Sequence, residues 1–304
     1  MTKYSIGVDI GGSHITAGVY EHSKREIHKG SLVYRKIDSQ GSKEEIINGW
    51  VDALEECRNT MEVEINGIGI AMPGPFDYYN GISLIKDVDK LNSLYNVNIR
   101  LELAEKLQIQ PSNIRFINDA TAFSIAEARV GCARQYHRVV AITLGTGIGA
   151  SFLIDGKPII RDRSVPAGGF LYNQYYHNEM ADDIFSSRGI LGRYKSISGR
   201  EIENVRAICD RVNEDTSARK ALVQFGDELG DFLKPYLNEF NAEILVLGGN
   251  ISKAYPYFGE ALTVNLRNIE VKVSDLGEQA AIIGSAMLVD NSYYSTIKST
   301  LKFM

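Results

Sequence analysis

The chain has 304 residues, of which 44% are hydrophobic and 23% charged. At roughly 100–200 residues per domain this fits two domains or one large split one, with a core that needs no disulfide or metal staple, and the composition excludes disordered and collagen-like chains. The net charge of −5 argues against nucleic-acid binding, which draws on a basic balance or stripe, but leaves small anionic ligands open, because backbone N–H groups can hold phosphate.

Cys57, Cys132 and Cys209 stand far apart and form no C-x-x-C pair, so a local zinc knuckle or redox motif is absent. Few unpaired thiols fit a reducing cytosol. The N-terminus has no signal-peptide apolar region, and there is no apolar run of about 18 residues. A cytoplasmic protein with no membrane partner is expected.

In chain order, the pattern predicts strands over 4–10, 15–21 and 27–36, the first two joined by a tight hairpin. Ser42 to Met61 has apolar residues at the helical period (Ile46, Ile47, Trp50, Val51, Leu54, Cys57). Ser42 followed by Glu45 fits a capping box at its start. A strand over 65–72 closes on Pro73-Gly74-Pro75. A helix over 101–107, a buried strand over 114–118 and an alanine-rich helix over 119–130 follow. The opening pattern then returns: strand 139–144, the turn Gly145-Thr146-Gly147-Ile148-Gly149, strand 150–155. Helices are predicted over 182–194, 200–213 and 216–238, a strand over 243–247 ending in Gly248-Gly249-Asn250, and a small-residue helix over 278–290. This reads as two related α/β halves, each centred on a mixed sheet, with a cleft between them as the natural ligand site.

Three glycine-rich strand ends carry the chemistry: Asp9-Ile10-Gly11-Gly12-Ser13, Gly145 to Gly149, and Gly248-Gly249-Asn250. One such turn is an ordinary hairpin feature. Two that open related units, with a third, point to a nucleotide, since glycine lets backbone approach a ligand and successive N–H groups make an anion-binding nest. No P-loop pattern exists. Gly145-x-Gly147-x-x-Ala150 matches a loose dinucleotide fingerprint, but that turn must open a helix, and here a strand follows. Asp9, at a strand end beside the first turn, can hold Mg²⁺ through water. Asp119, where a buried strand meets a helix, reads alone as an N-cap. Beside bound phosphate it is placed to accept a hydroxyl proton.

Taken together, these residues resemble the ROK family of sugar kinases, within the superfamily that includes hexokinase, actin and the Hsp70 ATPase domain. Asp9-Ile10-Gly11-Gly12-Ser13-His14 resembles the first phosphate motif, and Thr143-Leu144-Gly145-Thr146-Gly147-Ile148-Gly149 the second. Gly67 to Pro75 is similar to the family's Pro-Gly segment near the sugar, Asn118-Asp119-Ala120-Thr121-Ala122 to its catalytic-base motif, and Leu245 to Ile251 to its adenosine motif. The resemblance implies a duplicated, two-domain actin-like (ribonuclease H-like) ATPase fold with a central cleft. It divides the chain into 1–117 and 118–290, with a C-terminal helix about 291–304 free to pack back on the first domain. It further implies a homodimer, ATP and Mg²⁺ as cofactors, and phosphorylation of a hexose or N-acetylhexosamine at O6.

On that resemblance, Asp119 is the catalytic base. Asp9, Gly11, Gly12, Ser13, His14, Thr143, Gly145, Thr146, Gly147, Gly149, Gly248, Gly249 and Asn250 bind ATP, and Asp9 positions Mg²⁺ through water. Pro73, Gly74, Asn92, Asn118, Asp119, Gly168, Gly169, Tyr172 and Asp182 face the sugar. The chain also departs from the family. Gly169 and Tyr172 replace a sugar-contacting glutamate and histidine, and the family's cysteine-rich zinc loop is missing, so no zinc is expected. Asp182, with Asp183 as an alternate, shortens a second glutamate, and His14 stands in place of a lysine. The polar aromatic run Tyr172 to Asn178 either replaces the lost sugar contacts or is a surface loop or dimer contact, and His177 alone reads as structural. Since a site built to bind a hydroxyl discriminates strongly, these changes alter the expected sugar, which stays open among glucose, N-acetylmannosamine, N-acetylglucosamine, fructose and allose. The rival reading is a non-catalytic sugar sensor. A DNA-binding regulator is not expected, since the chain opens directly on the kinase strand.

Overall fold

The computed structural model describes residues 2–87 and 90–304. The chain divides into two compact units, Met1–Ala126 with Glu278–Met304, and Glu127–Gly277. The division falls after Ala126 rather than before Asn118, and the segment from 278 onward is counted with the first unit.

The first unit begins with β1 (Tyr4–Ile10) and β2 (His14–Glu21), paired antiparallel around the Gly11–Ser13 turn. The predicted third strand is two short ones, β3 (Glu26–Ile27) and β4 (Val33–Lys36), both paired with β2. Gly30, at φ +89°, interrupts them. Helix α1 (Lys43–Arg58) starts as predicted: the Ser42 hydroxyl accepts from Glu45 N–H, and the Glu45 carboxylate accepts from Ser42 N–H at 2.8 Å. Its buried face is Ile46, Ile47, Trp50, Ala53, Leu54 and Cys57. Strand β5 (Ile68–Met72), the small pair β6 (Phe76–Asp77) and β7 (Ile82–Ser83), α2 (Ile99–Leu107), β8 (Ile114–Asn118) and α3 (Asp119–Arg129) follow. The main sheet has the order β3-β2-β1-β5-β8, with β1, β5 and β8 parallel. Parallel strands buried on both faces demand continuous apolar runs, and Ile68 to Met72 is buried throughout.

The second unit repeats the arrangement. Strands β9 (Arg138–Leu144) and β10 (Ile148–Ile154) form the hairpin, β11 (Lys157–Pro158) extends it, β12 (Tyr175–Tyr176) pairs with β13 (Glu179–Met180), and β14 (Ile244–Gly248) and β15 (Glu270–Val273) complete the sheet. The order is β11-β10-β9-β14-β15, again one antiparallel hairpin followed by parallel strands. Its helices are α4 (Ala181–Ile184), α5 (Ser187–Ser198), α6 (Val205–Cys209), α7 (Thr216–Phe240) and α8 (Tyr255–Asn265). Thus 182–194 is two helices separated at Phe185-Ser186, and only the middle of 200–213 is helical. Helix α7 packs Phe225, Phe232 and Phe240 into the core. The fully buried Glu127 accepts from the Cys132 N–H at 3.1 Å and from the Ser274 hydroxyl, tying the loop after α3 to the end of β15.

The chain returns to the first unit with α9 (Gln279–Met287) and α10 (Asn291–Ile297). Helix α9 lies almost in contact with the sheet backbone. A Cβ on Gly7 would fall 2.0 Å from the Ile282 carbonyl oxygen, and one on Gly69 1.8 Å from that of Ser285. A Cβ on Gly284 would fall 1.8 Å from the Ala122 carbonyl oxygen of α3. The Ser285 hydroxyl accepts from Val8 N–H at 3.0 Å and reaches Ile282 O at 2.9 Å. Among the described residues, no helix is long and apolar enough to cross a membrane.

Gly69→Ala forces apart α9 and β5 and is expected to lower unfolding free energy by about 3 kcal/mol. By contrast Gly192→Ala, in α5 with open space at its Cβ, should raise it by about 0.5–1 kcal/mol. Denaturant melts of the two variants check both signs.

Candidate active site

In the first unit the sheet register gathers the predicted residues. Asp9 of β1 is paired with Ala71 of β5, and Met72 with Asn118 of β8. Asp9, Pro73 and Asn118-Asp119 thus share the carboxyl edge of parallel strands, where open α/β sheets bind ligands. The Gly11 N–H donates to His14 O at 2.9 Å and closes the turn. Pro73 is half-buried and Gly74 exposed. A Cβ on Gly74 would lie 3.4 Å from the Tyr78 hydroxyl, which donates to Met72 O at 3.0 Å and lies 3.3 Å from Asn118 Nδ2. Asn92 is exposed in a short 3₁₀ turn.

Helix α3 is capped by Asn118, whose Oδ1 accepts from Thr121 N–H at 3.1 Å. The N-cap reading of Asp119 is thereby corrected: the preceding residue has that task. The Asp119 carboxylate accepts from its neighbour's amide, Ala120 N–H, at 2.8 Å. Burial pushes its pKa up, while the Ala120 amide, the Lys90 ammonium and Asn118 pull it back. Asp9 is pushed up from 3.8 to about 7, first by burial and then by the carboxylates of Asp119 and Glu278. The site concentrates negative charge that a hydrated divalent cation would relieve. Among the described residues, no group of three His, Cys, Asp or Glu side chains could cage a metal directly. The buried, charge-crowded Asp9 carboxylate is a group that would suit Mg²⁺ held through its water shell.

The second unit gathers its own set. Gly248 is paired with Thr143, and Thr143 with Gly149. Gly249, at φ +77°, sits against the Leu144 backbone: a Cβ there would fall 2.4 Å from the Leu144 oxygen. The Gly145–Gly149 turn and the Gly248–Asn250 turn are therefore neighbours. Thr146 is exposed at the tip of the first, and Asn250 accepts from Lys253 Nζ at 2.8 Å in the second. Asp182 sits on the first turn. Its Oδ1 accepts from Ile148 N–H at 3.0 Å, and only a glycine at 147 leaves room, because a Cβ would fall 2.2 Å from that oxygen. Arg188 pairs with Asp182 at 3.4 Å and with Asp183 at 2.9 Å.

Gly168 and Gly169 both have positive φ, and a Cβ on Gly169 would fall 2.9 Å from Ile159 O. The local backbone is built for glycine there. Tyr172 O accepts from Asp182 N–H at 3.1 Å, which brings Tyr172 beside Asp182. Its exposed ring stands 5.7 Å from that of Phe170. The run Tyr175 to Met180 is a hairpin whose central residues, His177 and Asn178, both have positive φ, as a type I′ turn requires. Tyr176 is committed to the core, its ring 5.6 Å from Phe185 and its hydroxyl 3.2 Å from Asp231. Tyr172 and Tyr175 keep exposed rings in the run Tyr172 to Asn178, and Tyr172 is the one bonded to Asp182. Lys90, Glu278, Tyr78 and Arg188 escaped the sequence reading because no local motif marks them; each reaches its place through folding.

With this geometry in view, comparison with known proteins identifies the class. The model of the ROK family matches residues 5–292, and the chain belongs to that family. It is 26% identical to a glucokinase of Thermotoga maritima, covering 93% of this chain and 96% of that one. It is 25% identical to an N-acetyl-D-glucosamine kinase of Pectobacterium carotovorum, covering 81% and 83% respectively. The solved structure of a ROK hexokinase from Thermus thermophilus superposes with a TM-score of 0.79 at 21% identity, covering 96% of this chain and 99% of that one. The fold is therefore the actin-like ATPase fold of these kinases.

The raised Asp9 pKa has a stability consequence. The folded state favours the neutral carboxyl, so this stabilisation is full below the unfolded pKa and is lost as pH rises through about 7. With no divalent cation or nucleotide added, Asp9→Asn should flatten that decline and exceed the wild type at high pH by roughly 1–3 kcal/mol. Thermal melts across the pH range measure it. Gly169→Glu is expected to cost about 1–3 kcal/mol through the forced φ and the Ile159 contact, read from the same melts.

Proposed function

We propose that this ROK-family sugar kinase transfers the γ-phosphoryl group of ATP to the primary hydroxyl, O6, of a hexose or N-acetylhexosamine. The observation that carries the reading is Asp119: a carboxylate at the start of α3, relieved of capping by Asn118 and held between burial and a nearby ammonium. Such a group accepts the hydroxyl proton as the oxygen attacks phosphorus, and Asn118 orients the sugar. The Gly11-Gly12, Gly145–Gly149 and Gly248–Asn250 turns are its nucleotide-holding elements. Mg²⁺, when bound, supplies charge neutralisation on the phosphates, and Asp9 is the residue that would position it through water. Phosphoryl transfer has a loose transition state, so positioning and charge matter more than covalent chemistry.

The choice of sugar falls to the altered segment. Gly169 offers no carboxylate, and its backbone does not accommodate one. The exposed Tyr172 ring and the Asp182–Arg188 pair stand there instead. Loss of a hydroxyl-binding carboxylate shifts preference among acceptors by orders of magnitude.

A coupled ADP-release assay with MgATP, run against hexoses and N-acetylhexosamines, tests the proposal. One or a few sugars should support turnover, and Asp119→Ala should lose about 10²–10⁴-fold in kcat with nucleotide binding retained. Full activity in Asp119→Ala would remove the base assignment. Sugar binding without turnover would replace the kinase by a sensor.

A further inference from the structure

The turn that follows β1 carries no cation of its own. His14 is occupied: its ring stacks on Tyr34 at 5.4 Å, and its Cε1 stands 2.6 Å from where a Cβ of Gly11 would be. Lys90 approaches the same turn from a distant part of the sequence. A Cβ built on Gly12 would fall 2.9 Å from Lys90 Cδ and 3.6 Å from its Nζ. The lysine stem therefore lies along Gly12, in space that only a glycine leaves open. Its neighbour fixes this approach: Leu91 is buried, has a left-handed φ of +57°, and donates its N–H to Ser39 O at 2.8 Å. The Lys90 charge also reaches Asp119, without an ion-pair contact between the two. One ammonium thus stands against the phosphate turn at Gly12, and its charge is felt by the carboxylate at the head of α3.

We propose that Lys90 is a catalytic residue of the phosphoryl transfer, contacting the terminal phosphate of the donor as it passes from the Gly11-Gly12 turn toward the acceptor hydroxyl at Asp119. The proposal rests on the kinase reading for the identity of the donor. The physical reason is location. A phosphoryl group in transit carries its negative charge on three oxygens, and a cation placed to meet them strengthens their binding and neutralises the charge as it shifts. An ammonium suits this task as a mobile point charge with three donors. In the same place its charge pulls the Asp119 pKa back down against the burial that raises it. A diphosphate, which lacks the terminal group, gains nothing from it.

Calorimetric titration with MgADP and with the magnesium complex of a non-hydrolysable imido analogue of ATP reads this directly, on wild type, Lys90→Met and Lys90→Arg. Lys90→Met should weaken the analogue about tenfold or more while leaving ADP within about twofold, and Lys90→Arg should recover most of the loss. With the accepted sugar, kcat of Lys90→Met should fall about 100-fold while the sugar KM moves less than about threefold. Lys90 is half-exposed, so unchanged melting temperatures are expected and exclude a folding effect. Equal weakening of both nucleotides, no weakening of either, or a loss confined to the sugar KM would each overturn the proposal, as would a wild type that binds neither nucleotide. A wild type that binds both nucleotides but phosphorylates no sugar defeats the sugar-kinase reading alone. The Lys90 comparison still decides on the terminal phosphate.

Discussion

The first unit depends on how closely α9 can approach the sheet. Gly7, Gly69 and Gly284 bring backbone against backbone where α9 meets β1, β5 and α3, and Ser285 hydrogen-bonds into β1 beside them. This is backbone packed on backbone, and it leaves no slack. It matters for chemistry because the same strands and helix carry Asp9 and Asp119 on their carboxyl edge. A helix displaced outward by one methyl group would move the strand ends that hold both carboxylates.

Those carboxylates are placed at an electrostatic cost. Burial raises the energy of the Asp9 charge, and the carboxylates of Asp119 and Glu278 raise it further; burial does the same to Asp119. A fold selected for stability alone would have no such cluster. That cost is one a bound cation would offset. The free protein is strained in the direction that binding relieves.

Much of this was legible in the sequence, and the reasons are local. The capping box at Ser42 and Glu45, the buried strand expected over 65–72 and formed over 68–72, the doubled Gly-rich turns and the Asn118-Asp119 junction each announce themselves within a few residues, because turn chemistry and periodicity are short-range signals. Failures came where the deciding contact was distant. The strand expected over 27–36 is broken at Gly30, and Phe185 enters the core between two helices that periodicity joined into one. Helix α8 and strand β15 were not anticipated, for their amphipathic signal is weak and they owe their form to packing on α7 and β14. At the site, Asp182 could be found by spacing, but its seat on Gly147 could not. Lys90 had no signal at all: it belongs to no motif, and only the folded chain shows the Gly12 surface that receives it.

The first unit is made from both ends of the chain, whereas Glu127–Gly277 is continuous. During synthesis this imposes an order. When residue 277 leaves the ribosome, the second unit has every strand and helix it needs. The first unit still lacks α9, and with it the cover over Gly7 and Gly69. Its sheet must wait, with an apolar face open, until the segment from 278 onward is made. Domains ordinarily mature from the N-terminus as they emerge; here the N-terminal unit is completed last. The nascent chain is thus exposed to chaperone capture and to aggregation at β1 and β5 rather than at the segments synthesised after them.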